Sequence, residues 1–122
     1  MHLRSTREST VRDLILDRTV DVEMFHSDTD WPSIVVEGKV DTGADRCSID
    51  GSLAKHLGWE AIGHKTVKSS LGRESRDLVR GVVEIRGIKF TLTATVSNRE
   101  GLSHSLLVGH NIISDLVLSE EE

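Results

Sequence analysis

One cysteine and one proline stand in 122 residues, tyrosine is missing, and only four aromatic side chains are present: Phe25, Trp31, Trp59 and Phe90. The lone Cys47 excludes an internal disulfide and fits a reducing compartment. With so few rings, the core has to be assembled from Val, Ile and Leu. No apolar run approaches the roughly 20 residues a membrane-spanning helix needs. The opening residues Met1 to Glu8 lack the apolar stretch of a secretory signal, so the expectation is a cytoplasmic protein without a membrane partner. Basic runs interleaved with aromatics are missing too, and the net charge is −5, which argues against a nucleic-acid partner. The histidines (His2, His26, His56, His64, His104, His110) never fall at a zinc-ligand spacing, and no His-Glu-x-x-His occurs. No phosphate-cradling Gly-x-x-x-x-Gly-Lys loop is found either. No metal and no cofactor are therefore expected.

What is there is alternation. The length fits one domain, with a polar tail over 1–10, a folded domain over 11–119 and an acidic tail over 120–122. Leu14, Leu16, Val20, Val22 and Met24 recur at even positions, the period of a strand. His26 to Asp30 reads as a turn closed by Pro32. Over 33–40, Ile34, Val36 and Val40 share one face while Glu37 and Lys39 share the other. Cys47 and Ile49 suggest a short strand, and Asp50 caps a helix over Ser52 to Leu57 that Gly58 stops. Residues 64–86 read as a long hairpin with Leu71-Gly72 near its tip. Arg86-Gly87 then turns into the clearest strand, 89–96, where Phe90, Leu92, Ala94 and Val96 oppose Thr91, Thr93 and Thr95. A helical turn over Asn111 to Asp115 and a last strand, Leu116 to Leu118, complete the chain. Short strands with one or two helical turns point to an all-β, closed small barrel.

The most informative triplet is Asp41-Thr42-Gly43, which occurs once. It sets a carboxylate at the mouth of a turn directly after an apolar strand, the place where acid-base hydrolysis can use it. The run Val40-Asp41-Thr42-Gly43-Ala44-Asp45, with Leu106-Leu107-Val108-Gly109-His110-Asn111 later in the chain, resembles the retropepsin-like aspartic proteases over about residues 33–118. Its style over Gly87 to Ile112, with Val96-Ser97-Asn98-Arg99, is most similar to a bacterial and phage branch labelled ATP-dependent zinc protease. The zinc and ATP of that label find no counterpart in the residues.

The resemblance implies a homodimeric barrel in which two copies of Asp41 face each other and act as an aspartic endopeptidase on a peptide or protein substrate. Thr42 would brace the loop across the two-fold axis, the Gly43 amide would support the carboxylate, and Leu107, Val108, Gly109, His110 and Asn111 would support the site. Substrate contacts would come from Ala44 and Asp45, and from Leu71, Gly72 and Arg73 on the flap. Over 64–80 that flap carries Lys65, Lys68, Arg73, Arg76 and Arg80 against only Glu74 and Asp77, which favours acidic peptides. Many retropepsins have Arg where this chain has His110. An Asp45–His110 ion pair is the expected replacement, tightening the dimer in mild acid; Arg46 or Arg99 meeting Asp45 is the alternative. The dimer interface is expected along Val11 to Leu16 and Leu116 to Leu118, which would otherwise leave open edges. Cys47 reads as a small core residue, since neither it nor Ser48 has a local base. Two rivals stand beside the protease: an inactive dimerisation or peptide-binding module on the same fold, and a metal-dependent hydrolase.

Overall fold

The computed structural model describes residues 18–70 and 72–120. The first element, β1 (Thr19–Met24), pairs antiparallel along its whole length with β2 (Ile34–Val40). Val20, Val22 and Met24 are buried, as the alternation requires, and Ile34, Val36 and Val40 pack partly against the same core. Short β3 (Cys47–Asp50) buries Cys47 and Ile49. Asp50 then caps α1 (Gly51–His56), its carboxylate accepting from the Ser52 amide at 3.1 Å. Gly58 ends that turn at φ +68°, a conformation with little cost only for glycine.

The long hairpin forms from β4 (Ala61–Ser69) and β5 (Gly72–Ile85). Arg86 and Gly87, at φ 55° and 81°, make the two-residue link into β6 (Ile88–Ser97), with Ile85 opposite Ile88. Positive φ at both positions gives the turn a twist matching that of the strands. Three residues, β7 (Leu106–Val108), precede α2 (His110–Glu120). The expected strand at Leu116 to Leu118 is the second half of this helix instead. Ile112, Ile113 and Leu116 are its buried positions while Val117 and Leu118 face outward, the spacing of a helix packed on one side.

Strand order is β1-β2-β7-β3-β6-β5-β4, and a further β1–β5 pairing, Glu23 to Glu84 and Met24 to Val83, closes the sheet on itself. The ring therefore uses six strands, leaving β4 joined to β5 alone. Among the described residues nothing else pairs with the outer strand of that hairpin. Inside the ring the core is aliphatic: Val22, Met24, Ile49, Leu57, Val83, Ile85, Leu92 and Leu106 are all fully buried. Trp59 is the one fully committed ring, its indole N–H donating to the Phe25 carbonyl at 2.9 Å. Gly81 of β5 lies against that indole so closely that a Cβ would sit 1.9 Å from it.

The tail over 1–10, the expected strand start at Val11 to Leu16, Leu71 and the last two glutamates lie outside the described residues. Among those described, no helix is long and apolar enough to cross a membrane.

Candidate active site

Asp41 comes directly after β2, where the parallel pairing with β7 ends at Val40 opposite Val108. Its amide continues the ladder by donating to the Val108 carbonyl at 3.0 Å. The chain then turns back on the side chain: the Gly43 amide donates to Asp41 Oδ1 at 2.9 Å, and the Ala44 amide to the Asp41 carbonyl at 3.2 Å. An aspartate bonded in this way to the backbone two residues on fixes its own rotamer. Asp41 is half-buried, and Thr42 and Gly43 are exposed.

The second motif fastens this loop from below. Gly109 passes so near it that a Cβ would lie 2.5 Å from the carbonyl carbon and oxygen of Arg46 and 3.0 Å from the Ala44 oxygen. Space, not backbone conformation, demands glycine here. The first amides of α2 lack partners within their helix. His110 donates to the Ala44 carbonyl at 2.7 Å and Asn111 to the Asp45 carbonyl at 3.2 Å. The Asn111 side chain works as a junction. Its Oδ1 accepts from the Cys47 amide at 3.0 Å and from the thiol at 3.3 Å, while Nδ2 donates to the Thr93 carbonyl at 3.1 Å. The Gly109 amide points at Cys47 Sγ, 3.3 Å away. Burial pushes the Cys47 thiol up to about 11, against the weaker opposing pull of the Gly109 amide and the Arg46 charge. A neutral, enclosed thiol is a packing group and not a nucleophile.

One expected pairing is absent. His110 bonds the Ser114 hydroxyl at 2.9 Å, one turn along its own helix. No ion pair joins Asp45 to His110, Arg46 or Arg99 among the described residues. Arg46 reaches Thr93 Oγ1 at 3.3 Å and Arg99 the His104 carbonyl at 2.8 Å. Both Asp45 and His110 are exposed, where an ion pair gains little over hydration. The acid-tightened dimer loses its support with that pair.

Arg18, Lys39, Val40, Asp41 and Thr42 line a cavity of about 370 Å³. Arg18 and Lys39 were not among the expected site residues. Lys39 was readable as outward-facing, but only the turn after Val40 brings it to the same cavity as the carboxylate. Thus the structure gathers Asp41 to Asp45 with Leu107 to Asn111 into one cluster. Gly72, at φ +112°, and Arg73 lie elsewhere, at the exposed end of the β4–β5 hairpin. No group of three or more His, Cys, Asp or Glu suited to a metal ion occurs among the described residues.

The six-strand ring has counterparts of known structure. The chain is similar to the Simian Foamy Virus (mac) protease solved in solution, with TM-score 0.58, 14% identity, and coverage of 81% of this chain and 94% of that one. The fold is retropepsin-like. A crystal structure of a Legionella pneumophila protein of unknown function is also similar, with TM-score 0.53, 18% identity, and coverage of 80% of this chain and 84% of that one. No family model and no curated protein matches. The retropepsin-like fold thus stands, while nothing in these likenesses supports the narrower zinc-protease label.

Proposed function

We propose that the protein is an aspartic endopeptidase whose active form is a homodimer, each copy lending Asp41 to a shared site. The observation that carries this reading is the pinned Asp41 loop: a carboxyl opening onto a cavity, held by Val108, Gly109 and the first amides of α2, on a retropepsin-like ring. Two such carboxyls at hydrogen-bond distance cannot both ionise, so they share one proton. The ionised one takes a proton from water as that water attacks the peptide carbonyl, and the protonated one donates to the carbonyl oxygen. Aspartic proteases in general work this way. In this reading Thr42 braces one loop against its twin, and the β4–β5 hairpin is the flap that covers the substrate. The unpaired, buried Cys47 supports a reducing setting such as the cytoplasm.

The test is hydrolysis of denatured casein between about pH 4 and 6, where a shared-proton pair operates. Wild type should cleave, and Asp41→Asn, which keeps the Gly43 hydrogen bond but cannot ionise, should not. Equal cleavage by both proteins, or by neither, would end the reading. A second reading, an inactive peptide-binding or dimerisation module, draws on one observation: the hairpin over 61–85 carries no aromatic side chain to shape a substrate pocket.

A further inference from the structure

The β4–β5 hairpin is not evenly charged. Cross-strand register sets Lys68 directly opposite Arg73, with Thr66 opposite Ser75 and His64 opposite Asp77 beneath them. Residues directly opposite share a face. Along β5 the odd positions point inward: Val79, Val83 and Ile85 are buried, and Gly81 meets Trp59. Pleating carries that side of the strand out to Asp77, Ser75 and Arg73. Lys68 and Arg73 therefore sit together on one face of the hairpin, and both are exposed.

Directly opposed like charges repel, and nothing nearby offsets this pair. Glu74 is held by Arg76 at 2.7 Å and Asp77 by His64 at 3.0 Å. Among the described residues neither Lys68 nor Arg73 has a hydrogen bond or ion pair. Arg18 and Lys39 line the cavity that Asp41 opens onto, and both are exposed. In a chain of net charge −5, two cations thus stand at the Asp41 cavity and two more on the hairpin.

We propose that this cleft selects acidic peptides, with Lys68 and Arg73 engaging substrate carboxylates from the flap and Arg18 and Lys39 from the floor. The inference rests on reading the hairpin as the cover of the Asp41 cleft. An acidic segment brings the counter-charge that the hairpin lacks, and the flap closes on it because closure relieves the Lys68–Arg73 repulsion. Neutral peptides leave that repulsion in place, and basic ones add to it.

The deciding experiment does not depend on cleavage. Rhodamine-labelled peptides of equal length, bearing Glu and Asp, their amide counterparts, or Lys, are titrated by fluorescence anisotropy against the full-length Asp41→Asn protein. The acidic peptide should bind roughly tenfold more tightly than its amide twin at low salt, with the advantage shrinking as salt screens it. The double change Lys68→Gln with Arg73→Gln, at two exposed positions, should remove most of that advantage. Equal binding of the acidic and amide peptides would overturn the proposal, as would an acidic preference untouched by the double change. Acidic selectivity without casein hydrolysis by wild type would instead sink the protease reading and leave the selective cleft standing.

Discussion

Asn111 shows how one side chain can hold the Asp41 loop without touching it. It satisfies the amide and thiol of Cys47 and the carbonyl of Thr93, and so joins α2 to β3 and β6 under the Asp41 turn. Removing it strands a Cys47 amide that has little access to water. Asn111→Ala should therefore cost about 1–3 kcal/mol, the penalty for leaving a buried donor unmade, as a lowered urea midpoint at unchanged slope. A variant as stable as wild type would refute the junction. The resemblance named Asn111 only as one of five residues that would support the site, without the reason. The reason for it lies in Thr93 and Cys47, residues remote in the chain, and no local pattern could connect them. Gly109 is similar. The residues after it suggest a helix start, but the need for glycine comes from the Arg46 carbonyl that passes beside it.

At the scale of elements, strands with one wet face were legible, and of the last helix only the first part, Asn111 to Asp115, was. The alternation over 89–96 puts Leu92 and Ala94 inside, because a sheet with one solvated face writes its period into the text. Leu116-Val117-Leu118 is a short apolar run, and such runs do not distinguish strand from helix by period. Its helical state is decided by Ile112 and Ile113 packing one turn earlier. Trp59 was read only as one of few aromatics. Its partner, Gly81, is visible as a missing side chain only when the strands are assembled.

The cap of α1 was legible, and it carries a pH dependence. The Ser52 hydroxyl, then the Arg99 amide, hold the Asp50 carboxyl below its ordinary 3.8. A lowered folded value stabilises the protein above the unfolded value and loses that contribution as pH falls through the folded one. Wild type should therefore exceed Asp50→Ala in stability at pH 6, and the gap should narrow steadily below about pH 4. Parallel melting curves for the two proteins from pH 6 to 3 test this. A constant gap would show that the carboxyl's charge plays no part in the cap.

For the whole molecule, the ring explains both what is stable and what is missing. β1 closes on β5 over only two residue pairs, so closure leans on the aliphatic core more than on the ladder. One chain presents one Asp41, and the site as proposed needs two. Activity should then rise with the square of protein concentration when dimers are scarce and become linear once they saturate. Mixing wild type with excess Asp41→Asn should suppress cleavage, because mixed pairs carry a single ionisable group. Strict proportionality to concentration, with no suppression on mixing, would rule out the shared site.

The wedge of β7 between β2 and β3 has a temporal corollary. The segment bearing the acid group is made first, whereas the three residues that hold its two flanking strands apart, Leu106 to Val108, emerge only after β3, β4, β5 and β6. Threading them late is slow, since distant segments must meet before the loop can set. A nascent or prematurely released polypeptide ending before Leu106 lacks the wedge altogether. Order of manufacture alone then leaves the Asp41 turn without its β7 support in a partly made chain.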